Sequence, residues 1–175
     1  MNTVFAAVAY VAAIVTANVA TARYGMVPVG FGLTATAGTY AAGLAFGARD
    51  LIQETGGRRA VIAAITVGAA LSWWLATPAL AVASTAAFAI AETADWAIYT
   101  PLRRQGWARA VVASNVVGAV IDTIAFLVLA GFPLTVAAVS GQLVGKILWA
   151  TLIPVLVISV ARRVVLREPI DAAGA

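Results

Sequence analysis

Six apolar runs follow one another along the chain, at residues 3–20, 29–47, 60–76, 79–99, 110–130 and 134–160. Each is about the length needed to cross a bilayer as a helix. Polar or turn-forming residues separate them: Arg23 to Pro28, Gly56-Gly57-Arg58-Arg59, Thr77-Pro78, Pro101 to Arg109, and Gly131-Phe132-Pro133. The runs are continuous and rich in Ala instead of alternating, which predicts helices and argues against porin-like strands. Glycines at 30, 32, 38 and 43 of the second run are expected to let neighbouring helix backbones approach closely.

The polar positions inside these runs are few and patterned. In the fourth run, Ser84, Phe88, Glu92, Asp95 and Tyr99 fall on one helical stripe. The fifth run carries Asn115 and Asp122, and the sixth places Gln142, Lys146 and Trp149 on one face. Measured along helices at 1.5 Å per residue, Asp122 and Lys146 both lie roughly 20 Å from the arginine-rich ends of their runs. Asn18 reaches a similar level. Glu92, Asp95 and Asn115 lie closer to that end, at roughly 9–14 Å. The pattern predicts an outer tier of Asn18, Asp122 and Lys146 and an inner tier of Glu92, Asp95 and Asn115, with Gln142 one turn beyond Lys146.

Composition fixes the solvent. The 175 residues are 63% hydrophobic and 10% charged, with a mean hydropathy of +0.99, whereas soluble domains carry about 25% charged residues. The expected fold class is therefore all-α: a polytopic membrane protein of six transmembrane helices, one domain over residues 1–161, and a polar tail at 162–175 expected to be disordered. Nine arginines, at 49, 58, 59, 103, 104, 109, 162, 163 and 167, follow the second, fourth and sixth runs, and only Arg23 falls on the other side. That asymmetry predicts cytoplasmic N and C termini. Ala20-Thr21-Ala22 has the small-residue look of a signal cleavage site, but no basic segment precedes the run, so the first run is read as a retained helix. The net charge of +4 resides in these clusters, not in an extended basic surface, which argues against nucleic-acid binding.

The chain has no Cys and no His. Thiol chemistry, disulfides, His-ligated metals and histidine proton relays are excluded, and any proton carrier must be a carboxylate. No nucleophile–base pair or metal constellation appears, so neither an enzyme nor a cofactor is expected. Asp122 and Lys146 read either as a structural ion pair or as part of a site, since buried charges need partners. Asn115 reads as a bridge between helices or as a ligand contact. Glu92 and Asp95, one turn apart, would repel if both ionised, so either a proton or a cation should join them. Three carboxylates against Lys146 leave a formal excess of two negative charges. Asp50 and Glu54 are expected to partner Arg58, Arg59 or loop arginines, and Trp73, Trp74 and Trp107 to anchor at the interface.

Several pieces in order carry a resemblance. They are Thr16-Ala17-Asn18, Ala48-Arg49-Asp50-Leu51, Ala87-Phe88 with Glu92 and Asp95, and Tyr99 with Leu102-Arg103-Arg104. Ala113-Ser114-Asn115 with Gly118, Asp122-Thr123-Ile124-Ala125-Phe126, Lys146 and Pro154 complete them. With these the chain resembles the queuosine-precursor transporter family, also called vitamin-uptake-transporter-like: compact six-helix proteins that look like the substrate-binding subunits of energy-coupling-factor importers. The resemblance implies import of a 7-deazaguanine, the 7-cyano or 7-aminomethyl form, across the cell membrane. The excess of carboxylate charge adds a separate expectation: either Glu92 or Asp95 is protonated during the cycle and couples import to protons, or a cationic substrate offsets the charge. The substrate-binding set the resemblance suggests is Asn18, Phe88, Glu92, Asp95, Tyr99, Asn115, Asp122, Gln142 and Lys146. Phe126, Trp96 and Trp149 are further stacking candidates. Expected partners are the small-molecule substrate and the lipid bilayer, with a homodimer or an energising module left open. An importer of another small planar base or vitamin is the nearest alternative, and a non-transporting membrane scaffold is the alternative from another class. The scaffold would bury its polar groups in pairwise bridges around no cavity.

Overall fold

The computed structural model describes residues 3–161, and the expected tail at 162–175, with Arg162, Arg163 and Arg167, lies outside the described residues. Helix α1 (Thr3–Tyr24) leads into a two-stranded antiparallel hairpin, β1 (Met26–Gly30) and β2 (Leu33–Thr36). Helix α2 (Thr39–Leu75), α3 (Pro78–Leu102) and α4 (Trp107–Leu129) follow. The chain closes with α5 (Val136–Leu143), a π-helical segment (Val144–Leu152) and α6 (Ile153–Ala161), which run on without a break. The fold is mostly helical. By length and composition α1 and α4 qualify as candidate membrane spans.

The breaks occur where turn chemistry requires them. Gly57 has φ 70° and divides α2 into arms at residues 39–56 and 58–75; a side chain would be strained in that conformation. Thr77 caps α3 by accepting a hydrogen bond from the Leu80 amide at 3.3 Å, with Pro78 at the first helical position. Gly131, at φ 73°, turns the chain after α4, and Thr135 caps α5 through the Ala138 amide at 3.1 Å.

The expected helix at 29–47 is corrected by the hairpin. Phe31 and Gly32 both have positive φ, 56° and 71°, the conformation of a two-residue turn whose twist matches paired strands. Glycines 30 and 32 thus serve the turn, whereas Gly38 and Gly43 do mediate close approach. A Cβ on Gly38 would collide with the Ala17 carbonyl, and one on Gly43 with Ala150 and the Lys146 backbone. Helix α2 also runs past Gly47 to Gly56, which carries Arg49 and Asp50 inside the bundle and leaves Glu54 exposed near its end.

Packing relies on small residues. Helix α1 lies along both arms of α2, with Gly68 against Ile14, and α3 lies along α4. The main core joins Ala6, Tyr10 and Ile14 of α1 to Phe46, Ile52 and Val61 of α2, Phe88 of α3 and Ala119 of α4. Between apolar solvent and apolar core, packing contacts and interhelical hydrogen bonds hold such helices together.

Candidate functional site

The polar stripe of α3 faces inward. Ser84, Phe88, Asp95 and Tyr99 are buried, and only the Glu92 side chain, at 16%, retains exposure. The site residues anticipated from the sequence do not form one chamber. They separate into an outer cavity and an inner charge cluster, and Tyr99 and Asn115 belong to neither.

The outer cavity lies between α1, α2, α3, α4 and α5, beneath the hairpin. Asn18, Phe88, Asp122, Gln142 and Lys146 line it as expected, with Phe126 as a second aromatic wall. Lys146 donates to Asp122 Oδ2 at 2.6 Å and to Thr123 Oγ1 at 3.1 Å. The π-helical turn carries Lys146, and Thr151 Oγ1 donates back to the Lys146 carbonyl at 2.9 Å. Such single π turns are frequent at functional sites. Asn18 Nδ2 donates to Ser72 Oγ at 3.0 Å and Ser84 Oγ at 2.9 Å, tying α1 to α2 and α3. Gln142 donates through Nε2 to Thr36 Oγ1 and accepts from Thr39 Oγ1, each at 2.8 Å. The hairpin thereby becomes a roof. Gly141 makes room for it, since a Cβ there would strike the Thr34 carbonyl. Beneath this roof the space measures about 20 Å³. That is enough for one water, which needs about 10–15 Å³, and well below the roughly 300 Å³ at which ligand pockets begin.

The inner cluster is built around a residue absent from the anticipated set. Arg49 is fully buried and grips three carboxylates. Its Nε donates to both Glu92 oxygens at 2.6 and 2.7 Å, its Nη1 to Asp50 Oδ1 at 2.6 Å, and its Nη2 pairs with Asp95. The cation expected to join Glu92 and Asp95 is therefore this guanidinium, whose planar fork suits several carboxylates at once. Arg49, expected among the arginines that follow the second run, lies inside α2 and is buried. Asp50 pairs with Arg49, not with Arg58 or Arg59. One guanidinium against three carboxylates leaves a formal excess of two negative charges, and Asp50 Oδ2 has no hydrogen-bond partner among the described residues. Ser114 of α4 stands beside Asp95.

The other anticipated residues have local partners. Asn115 donates to Thr151 Oγ1 at 3.4 Å, a bridge from α4 to the π turn, and its Oδ1 has no hydrogen-bond partner among the described residues. The Tyr99 hydroxyl donates to Glu54 Oε1 at 2.6 Å, and Arg103 meets the same oxygen at 2.9 Å, so Glu54 takes a loop arginine as expected. Trp73 and Trp74 are exposed, and Trp149 is 43% exposed on the outside of the bundle. Trp96 lies under Arg58, 4.7 Å from its guanidinium carbon. Among the described residues no group of three His, Cys, Asp or Glu side chains is arranged to hold a metal ion.

The sequence signal for Arg49 was its place beside Asp50 in an apolar run with no breaker before Gly56. Thr36 and Thr39 were hidden by the misread helix, and Ser72 by its position next to Trp73-Trp74.

Comparison with known proteins identifies a family. Residues 72–161, more than half of the chain, match the family described as "Putative vitamin uptake transporter". No curated protein and no solved structure matches the chain. The matched stretch contains α3, α4, Asp122, Gln142 and Lys146, and with them the charged pair of the outer cavity and two of the three carboxylates of the inner cluster, Glu92 and Asp95. The chain belongs to the vitamin uptake transporter family, a membership that implies a membrane transporter of a small molecule and not an enzyme.

Proposed function

We propose that this protein is a six-span importer of the cell membrane that takes up a 7-deazaguanine queuosine precursor, the 7-cyano or 7-aminomethyl form, through the outer cavity. The observation that carries the reading is the donor and acceptor set converging there: the Asp122–Lys146 pair, the Gln142 amide with Thr36 and Thr39, and Asn18, between the rings of Phe88 and Phe126. A guanine-like edge offers N–H donors to Asp122 and a carbonyl acceptor to Lys146 or an amide. Its flat ring suits the aromatic walls. A buried donor or acceptor left unmatched by a wrong base costs about 1–3 kcal/mol, which supplies selectivity.

The six spans are α1, the two arms of α2, α3, α4, and the rod at residues 136–161, forming a single domain with the tail beyond it. Both termini are cytoplasmic on this reading. The Glu54–Arg103 pair supports it, because it brings the Gly57 break and the turn at 103–105 to one end of the bundle, where Arg58, Arg59, Arg103, Arg104 and Arg109 gather. A base enters from the opposite side, and the hairpin must lift to admit it, because the closed cavity holds little more than a water. The inner cluster, with its excess of carboxylate, carries a proton through the cycle and couples import to the proton gradient.

The test is a binding titration of the purified protein with both deazaguanines, guanine and unrelated vitamins. Saturable binding of a deazaguanine in preference to guanine supports the assignment. Saturable binding of a different planar base or vitamin instead moves the substrate within the family. Flat responses to all of them leave a scaffold. Uptake unaffected by collapse of the proton gradient removes the coupling.

A further inference from the structure

A second cavity, of about 270 Å³, opens sideways between the 58–75 arm of α2 and helix α3. Gln53, Arg58, Val61, Ile65, Glu92 and Trp96 lie on its walls. It reaches the inner cluster at one point. Arg49, Asp50 and Asp95 have side chains 0–4% exposed, whereas Glu92 is 16% exposed. Glu92 is thus the member of the cluster that touches the space, and Arg58, stacked on Trp96, stands on its wall beside the arginine-rich end of the bundle.

Resting on the proton-coupled reading above, we infer that this lateral groove is the proton entry to the Arg49 cluster, and that Glu92 is the carboxylate that takes up and releases the proton. Three observations meet here. The cluster holds more carboxylates than its one guanidinium neutralises. Asp50 Oδ2, buried within it, has no hydrogen-bond partner among the described residues. The groove leads to one carboxylate and not to the others.

The groups facing Glu92 come from every neighbouring element. Arg49, Asp50 and Arg58 of α2 and Asp95 of α3 lie within electrostatic reach, as does Tyr10 of α1, and α4 contributes Ser114 beside Asp95. In the step, a hydronium ion in the groove gives its proton to a Glu92 oxygen and leaves as water. Arg49 keeps its own proton and its contacts with Asp50 and Asp95, while its bond to Glu92 weakens from ionic to neutral. The excess charge of the cluster falls by one, and a buried network of this kind responds as a unit. Tyr10 also lies within electrostatic reach of Asp122.

The test is labelling of the whole protein in membrane vesicles with dicyclohexylcarbodiimide, mapped by mass spectrometry. This apolar reagent adds to a protonated carboxyl group, the acid proton passing to a carbodiimide nitrogen as the carboxyl oxygen bonds to the central carbon. The expected result is label on Glu92 and not on Asp50, Asp95 or Asp122, increasing as pH falls. Glu92→Gln should lose the label. Ala89→Trp, which fills the groove from an exposed position outside the cluster, should lose it too while Glu92 remains. Label on Asp50 or Asp95 in place of Glu92, no label at any pH, or full labelling of Ala89→Trp would each overturn the inference. No transported substrate is involved, so failure of the deazaguanine titration and failure of this experiment are separate results.

Discussion

The outer cavity and the inner cluster are both buried, polar and lined by α2 and α3, yet they are built on opposite principles. The outer one is balanced: one ammonium, one carboxylate, and a ring of amides and hydroxyls that bond to one another around a small void. The inner one is unbalanced: one guanidinium holds three carboxylates. A neutral ring of exchangeable hydrogen bonds suits a neutral or weakly charged guest, because the guest can replace the bonds it breaks. An overcharged clamp suits a proton. The comparison teaches that polar residues on one helical stripe need not share one task. Phe88 and Ser84 face the outer cavity, whereas Glu92 and Asp95, one and two turns beyond Phe88 along α3, face Arg49.

The largest expected effect comes from removing the clamp. Arg49→Met strands three buried carboxylates and should destabilise the protein by about 3–5 kcal/mol in detergent unfolding experiments. Arg49→Lys should recover only part of this, because an ammonium lacks the planar fork. A stable Arg49→Met protein would break the contrast between the two regions.

The outer pair should behave differently. Removing both charges at once, with Asp122→Asn and Lys146→Met, leaves no uncompensated charge. That variant should stay within about 1–2 kcal/mol of the parent in the same unfolding measurement, and it should lose binding of the deazaguanine in a titration. Retained binding would show that the pair is only a structural bridge.

Gln142→Leu sharpens the picture of the roof. It leaves the Thr36 and Thr39 hydroxyls with only their mutual hydrogen bond at 3.2 Å and should reduce stability by about 1 kcal/mol. Faster amide exchange is expected in residues 26–36, with residues 49–54 unchanged. Tyr99→Phe is the smallest effect. It removes one hydrogen bond to Glu54, worth about 0.5–1.5 kcal/mol, and should leave binding of the deazaguanine unaltered. A loss of binding in Tyr99→Phe would return Tyr99 to the substrate site.

Much of the bundle was legible because its breaks are chemical. Gly57, Thr77-Pro78 and Gly131 end or start helices in ways that local sequence announces. The outer tier was legible too, because depth along a helix follows from counting residues, and Asn18, Asp122 and Lys146 meet at one level. The hairpin was not recognised, although Val27-Pro28-Val29 and Leu33-Thr34-Ala35-Thr36 flank a Gly-Phe-Gly turn. A short apolar segment has the same composition in a strand as in a helix, and the hydropathy of its neighbours concealed the change of period. Arg49 was concealed by an assumption: an arginine at the end of an apolar run reads as a loop residue, and only the continuation of α2 to Gly56 puts it inside. The π segment at Lys146 has no compositional signature; Gly145 packs against Thr39 there, and Thr151 bonds back to the Lys146 carbonyl.

The central claim is that the two regions divide the work, with the guest in the outer cavity and the proton in the inner cluster. Amide hydrogen exchange of the protein with and without 7-aminomethyl-7-deazaguanine tests it most directly. The account predicts that the ligand slows exchange in the hairpin at 26–36 and around Gln142 and Lys146, while the segments holding Arg49 and Glu92 keep their rates. Protection centred on residues 49–54 and 89–96, with the hairpin unaffected, would contradict it.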